Sequence, residues 1–284
     1  MPQRLAIVTL TAAVLACGDG RTARGCEAMA AGAPADAAAR EALPEVPLAA
    51  SWGADGALAL SDGRALVPAG IALPTALDPQ ADLVARSRAA ATAVLDGRFV
   101  VPRARRRDRH GRLVGDARLA GAPSVAASPD ASLVLALLAA GAGFADPRGA
   151  PSCAAALLAA EAQARRERRG IFQGAGALAP ARDEALLARR AGLFALAEGR
   201  IRATGATREK VFLNFGARWR EDFTIVLPAG DFATILGDGL DPAMLRGTLV
   251  EVRGVVRMDG GPAMLVRTRD EIAILDGPLA EDAD

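Results

Sequence analysis

The sequence predicts a mainly β fold with helices, of the α+β class, divided between two modules. Three observations lead there. The chain has 284 residues, about twice an average domain. Hydrophobic residues make up 51% of it, enough for a buried core and too many for a disordered chain. Short strand-like runs alternate with a few segments of helical spacing. Composition also closes some functional routes. With 34 basic and 33 acidic residues the net charge is +1, which excludes a globally basic nucleic-acid binder and an acidic solvating chain. Aromatics are only 4%, with no Tyr, which argues against a broad stacking surface. Three Cys and the one His, His110, supply neither a zinc ligand set nor a His-based triad.

Residues 1–16 join an early Arg4 to a run of apolar and small residues, Leu5 to Ala16. This is the layout of a secretory signal peptide, and the run is too short for a comfortable transmembrane helix. Cys17 follows Val14-Leu15-Ala16, which resembles the lipobox of bacterial lipoproteins. Two routes stay open: acylation of Cys17 and a lipid anchor, or ordinary cleavage near Ala28-Met29-Ala30 and a soluble periplasmic protein. Residues 17–46 are rich in Ala, Gly and Pro without a period and read as a flexible linker. Cys26 and Cys153 could pair in an oxidising compartment, but spacing alone does not show it.

The first module spans 47–173. Leu58, Leu60 and Leu66 around Ser61-Asp62-Gly63-Arg64 predict a hairpin that ends at Gly70-Ile71-Ala72-Leu73-Pro74. Leu83, Val84, Ala90, Ala91, Val94 and Leu95 predict a helix over 81–95, closed by Asp96-Gly97. Phe99 to Val101 is read as a short strand and Leu113 to Leu119 as another, with the basic residues between them in a loop. Ser132 to Ala140 is apolar nearly all round and predicts a buried helix. Residues 152–169 predict a helix with a charged, solvated end. A connecting helix and linker follow over 174–191. The second module spans 192–276, with strands over 193–203, 211–215 and 223–227 and a helical insert near 230–246. A hairpin then joins Val250–Met258 to Ala263–Thr268 across Asp259-Gly260-Gly261. Three strands, a helix and two strands is the order of a five-stranded OB barrel. Residues 277–284 are a tail.

Ala57 to Pro74 resembles the opening hairpin of the thermonuclease (micrococcal-nuclease-like) family. Asp108-Arg-His-Gly-Arg-Leu-Val114 is similar to that family's Asp-Arg-Tyr-Gly-Arg turn, and Leu158 to Phe172 to its last helix, which commonly ends Arg-Arg-Gly-Leu-Trp. The resemblance covers about 50–173 in the right order. It implies an OB barrel packed by three helices. Residues 192–276, including Val211 to Phe223, look like the OB-type extension found after some exported members.

Thermonucleases cut phosphodiesters with calcium: carboxylates hold the metal, a Glu helps activate water, and two Arg stabilise charge on the phosphoryl oxygens. Carried onto this chain, the resemblance places Gly56, Val67, Ala72 and Thr75 where the family has Asp, Arg, Asp and Glu. The second Arg is retained as Arg112. Without the acids a hard cation has no oxygen cage. Asp55, Asp62, Asp78 and Asp82 lie nearby, but a one-residue shift turns a strand side chain to the opposite face. No metal-binding residue is therefore assigned, and no catalytic residue beyond the retained Arg112.

Arg112 could bind a phosphate bidentately, or simply pair with a nearby acid. Arg103, Arg105, Arg106, Arg107 and Arg109 form a basic run that could contact a polyanion, against the bland reading of a solvated loop. His110 fits turn packing better than catalysis. In the second module most aromatics belong to the core; Trp219, between Arg218 and Arg220, is the expected exposed one, and Trp219 and Arg220 complete the nucleic-acid-binding candidates. Ser124 and Ser128 have no base nearby in sequence.

The sequence thus predicts an exported bacterial protein, periplasmic or a membrane-anchored lipoprotein. Its expected role is non-catalytic, a binding or scaffold module for nucleic acid or an envelope protein. One alternative is an active metal-dependent phosphodiesterase acting on DNA or RNA. A second is a structural envelope lipoprotein with no polyanion ligand. No cofactor is expected, calcium entering only with the enzyme alternative. The oligomeric state is not legible.

Overall fold

A computed structural model of the chain describes residues 46–121, 131–218 and 220–276. The fold is mixed α+β with more strand than helix, and the strands fall mainly into two sheets. The signal-like segment, Cys17, Cys26, Ser124, Ser128, Trp219 and the tail lie outside the described residues, as does the side chain of Arg105.

The first sheet contains β1 (Ala50–Trp52), β2 (Leu58–Leu60), β3 (Ala65–Pro68), β5 (Arg98–Arg107) and β6 (Leu113–Gly121). Its order is β1-β2-β3-β6-β5, all neighbours antiparallel except β3 and β6. Leu48 and Val100 exchange both backbone hydrogen bonds, at 2.8 and 2.9 Å, so β5 returns beside the residues leading into β1. β4 (Ile71–Ala72) pairs with β7 (Phe144–Ala145) apart from this sheet.

Three helices cover the sheet. α1 (Ala81–Leu95) buries Leu83, Ser87, Ala91, Val94 and Leu95, the face set by its 3.6-residue period. α2 (Leu133–Ala139) is capped by Ser132, whose Oγ accepts from the Leu135 N–H at 3.1 Å and donates to Asp116 Oδ2 at 2.6 Å. α3 (Ala154–Arg166) follows a short 3₁₀ turn over Pro151–Cys153. Leu58, Leu66, Val100, Leu119, Leu133 and Leu137 meet in the core between sheet and helices, each apolar side chain contributing about 1.5–3 kcal/mol on burial. Cys153 is buried at the edge of this core and is disulfide-bonded. The chain's other cysteines are Cys17 and Cys26.

The second sheet has the order β10-β11-β12-β14-β13-β9-β8. It comprises β8 (Leu178–Pro180), β9 (Phe194–Arg200), β10 (Ala203–Ala206), β11 (Lys210–Asn214), β12 (Thr224–Pro228), β13 (Leu249–Asp259) and β14 (Gly261–Leu265), and β15 (Ile272–Asp276) joins the edge of β13. β12 and β14 are parallel, as β3 and β6 are in the first sheet. β9 and β10 are two halves of one bent strand, and they pair with β13 and β11 respectively. The strand expected over 193–203 is therefore interrupted at Ile201-Arg202, where it crosses from one partner to the other. Phe215, Phe223, Ile225, Leu227 and Val252 fill the interior.

Three further expectations change. The basic run does not lie in a loop: β5 continues through it to Arg107, because β6 pairs with it from Arg98↔Gly121 to Arg107↔Leu113, with one irregularity between Ala104 and Arg106. The insert near 230–246 is not one helix. α5 (Phe232–Leu236) stops at Gly237, whose φ of 121° no L side chain adopts easily, and a separate 3₁₀ turn covers Pro242–Leu245. The segment 174–191 holds β8 as well as α4 (Glu184–Arg189), and β8 is paired in parallel with β9.

Candidate functional site

The residues that carry the family resemblance gather at two turns of the first sheet. The turn from β1 to β2 holds Asp55 and Gly56; the turn from β5 to β6 holds Asp108 to Arg112. Asp55 Oδ1 accepts from the Ala57 N–H at 3.1 Å, which fixes the carboxylate within its own turn. Its Oδ2 accepts from Arg112 Nη1 at 2.7 Å. On the other side Asp108 Oδ2 accepts from Arg112 Nε at 2.7 Å, while Asp108 Oδ1 accepts from the His110 and Arg112 N–H groups at 2.8 and 3.0 Å. Arg112 thus bridges two turns through two carboxylates.

Its electrostatics follow from that bridge. Desolvation alone would raise the Asp108 pKa, but the side-chain and backbone hydrogen bonds from Arg112 and the one from His110 outweigh it and hold the carboxyl at about 2. The Asp108 hydrogen bond raises the Arg112 pKa further. Arg112 is about a third exposed and Asp55 more than half, so this is a wet, charged rim.

The positions expected to lack ligands are brought near each other in part. A Cβ on Gly56 would meet Leu73 Cβ at 3.7 Å, so this turn adjoins the exit of β4, one residue from Ala72. Gly56 has φ 78°, a left-handed conformation in which a side chain is strained. Val67 lies in β3 opposite Val114. Thr75 opens the approach to α1: its Oγ1 accepts from the Leu77 N–H at 3.4 Å and its carbonyl from the Asp78 N–H at 2.9 Å. Two of the neighbouring acids are engaged elsewhere. Asp62 pairs with Arg64 at 2.6 Å, and Asp78 lies at 3.4 Å from Arg190. Among the described residues no three His, Cys, Asp or Glu come together as a metal site.

The basic run is dispersed by its strand geometry. Successive strand residues face opposite sides. Arg103 sits opposite Asp116 and is half-buried. Arg106, Arg107 and Arg109 are exposed near the hairpin tip; Arg107 Nη1 donates to the Gly111 carbonyl at 2.8 Å and Arg109 Nε to His110 Nε2 at 3.0 Å. In the second sheet Phe215 and Phe223 are buried with ring centroids 5.3 Å apart, as the core reading expects. Arg220 is exposed in the turn before β12, and Arg218 pairs with Glu221 at 2.8 Å.

Of the charged residues between the two sheets, sequence reasoning named Asp78 alone, and for a different role. Glu161, Glu251 and Arg253 are buried there, and Arg190 is completely so. One signal was available: Glu251 and Arg253 alternate with the apolar Val250 and Val252 in the first half of β13. A cavity of about 140 Å³ also opens between Ala181, Arg182, Glu184, Arg202, Phe215 and Asp222.

No family model matches the chain, and no curated protein matches it. Solved structures with matching chains include one described as OBody AM1L10 bound to hen egg-white lysozyme. It is 18% identical, and the match covers 31% of this chain and 82% of that one. At a TM-score of 0.23 the likeness carries no argument. No helix among the described residues is long and apolar enough to cross a membrane.

Proposed function

We propose that the chain is a non-catalytic binding or scaffold module, built of two OB-type barrels, the first related to the thermonucleases. The strand orders support the barrel assignment: the first sheet has five strands with one parallel pair, and in the second the run from β9 and β10 through β11, β12, β14 and β13 repeats that order, with β8 and β15 added to it. The observation that carries the functional reading is the bridge from Asp55 through Arg112 to Asp108. The one Arg retained from the resemblance is held by two carboxylates, with both 2.7 Å contacts satisfied inside the protein. A phosphoryl group would have to compete with those acids for Nε and Nη1, which leaves it Nη2 as its uncontested contact. The disulfide at Cys153 fits an exported protein, since such bonds persist in oxidising compartments. Lipid anchoring through Cys17, if acylated, would place the module on an envelope membrane.

The ligand within this reading is a polyanion backbone or an envelope protein, with Arg106, Arg107, Arg109 and Arg220 as the exposed cationic candidates. Titrating the purified protein into labelled single-stranded and duplex DNA and RNA at several salt concentrations tests it. A polyanion ligand gives weak binding whose logarithm falls linearly with the logarithm of salt, with a slope flattened by up to about 3 in an Arg106→Ser, Arg107→Ser, Arg109→Ser variant. No binding at low salt removes nucleic acid and leaves the envelope-protein scaffold. For the address, a Cys17→Ser variant that fractionates like the wild type removes the lipid anchor.

A further inference from the structure

The contact between the two sheets is built from charges as well as apolar side chains. Four charges alternate across it, two from each side. Arg165 of α3 reaches Glu251 of β13 with both terminal nitrogens, at 3.1 Å to Oε1 and 2.7 Å to Oε2. Glu251 Oε1 also accepts from Arg253 Nη2 at 3.1 Å, and Arg253 Nη1 donates to Glu161 Oε2 at 3.0 Å. Glu161 Oε2 in turn accepts from the Ala145 N–H at 2.6 Å. Side-chain exposure is 1% for Glu161 and 8% for Arg253, so neither charge has water to fall back on.

Two other attachments come from separate segments. Arg190, at the C-terminal end of α4, has no exposed surface; its Nη2 donates to Gln80 Oε1 at 2.6 Å and to the Gly176 carbonyl at 3.1 Å, beside Asp78. Arg148, after β7, meets Glu271 at 2.6 Å, and Glu271 Oε2 accepts from the Arg267 and Thr268 N–H groups at 2.7 and 3.0 Å. Between the charges lies an apolar patch that draws on both sides: Leu83, Phe144 and Ile171 with Ala177 and Leu196. The Phe144 ring stacks on Phe194 at 6.2 Å and meets Phe172 edge-on at 6.4 Å.

We propose that this interlocked Arg165–Glu251–Arg253–Glu161 ladder locks the two sheet units into one rigid body, so that both outer surfaces reach a partner in a single fixed relative orientation. An apolar patch alone tolerates sliding, because dispersion and burial have no direction. An alternating charge ladder does not: displacing it by one partner sets Arg against Arg in one direction or Glu against Glu in the other, and rotation breaks the bidentate contact of Arg165. The unit joined to the first sheet is therefore a fixed part of the surface it offers, not a tethered second module. The inference stands on the interface alone and is independent of the polyanion reading.

Hydrogen exchange of the full chain, read by mass spectrometry across a urea series, tests it. Peptides from β6 report the first unit and peptides from β13 and β14 the second. The rigid body predicts that both lose protection at the same urea concentration in the wild type. In Arg253→Gln the common midpoint falls by about 1 M and the two sets of peptides separate. Arg165→Gln, at a position about a third exposed, is the milder companion should the first variant not fold, and it lowers the midpoint by less while still separating the two sets. Separate loss of protection in the wild type overturns the proposal, as does an Arg165→Gln or Arg253→Gln protein whose two units still unfold together at the wild-type midpoint.

Discussion

At the rim of the first sheet Arg112 meets Asp55 and Asp108 at 2.7 Å each, with all three side chains open to water. Between the sheets Arg253 meets Glu161 and Glu251 at 3.0 and 3.1 Å, with all three nearly dry. The rim contacts are shorter, yet the buried ones carry more consequence. Exposed pairs return much of their Coulomb energy to solvent and salt, whereas removing one member of a buried set strands a charge that no water can reach. Contact distance is a poor guide to which arginines hold the molecule together.

Substitutions at the two places put that contrast to work. The largest loss is expected for Arg190→Ala, which leaves Asp78 buried beside an empty space, at about 3–5 kcal/mol in urea unfolding. Glu161→Gln, which keeps an acceptor for Ala145 but uncovers the Arg253 charge, should cost nearly as much. Arg112→Ala should cost less than about 1 kcal/mol, and that small cost should shrink further in high salt. A rim loss equal to the buried losses would break the comparison.

Acid pH separates two carboxyls of the first unit more finely. The pKa of Asp108 is depressed to about 2 in the folded chain, below its unfolded value near 3.9. Its contribution is present above pH 4 and is lost as the pH falls toward 2. Asp116 behaves oppositely. Burial raises its pKa, outweighing the hydrogen bonds from Ser132 and from the Val134 and Ala117 N–H groups. Its contribution is full below the unfolded value and is lost as the pH rises through the folded one. Asp108→Asn should flatten the acid fall in unfolding midpoint between pH 4 and 2, and Asp116→Asn should remove a loss that develops above pH 4.

The same contrast between local and distant contacts separates what was legible in the sequence from what was not. The helix over 81–95 is written in its own spacing, and α2 in the nearly unbroken apolar run from Ser132 to Ala140. The turn at Asp108 to Arg112 also closes on itself, and the acid partner expected for Arg112 includes its own neighbour Asp108. By contrast, the run Arg103 to Arg107 reads as a loop until β6 is laid beside it, because pairing rather than side-chain period makes it a strand. The insert near 230–246 carries apolar residues at helical intervals, but Gly237 and Gly239 turn the backbone away. Glu161 and Arg253 stand 92 residues apart, and nothing local marks them as partners. The one trace is on the β13 side, where Glu251 and Arg253 alternate with buried Val250 and Val252.

The most direct measurement is cleavage of DNA and RNA by the purified wild type with calcium and with a chelator. With Arg112 held between Asp55 and Asp108, and with Gly56, Val67, Ala72 and Thr75 where the proposed thermonuclease relationship would call for acids and a first arginine, no calcium-stimulated cleavage above background is expected. Arg112→Ala should then change nothing in the assay. Chelator-sensitive cleavage by the wild type that disappears in Arg112→Ala would contradict the non-catalytic reading and make the rim bridge the resting state of a working site.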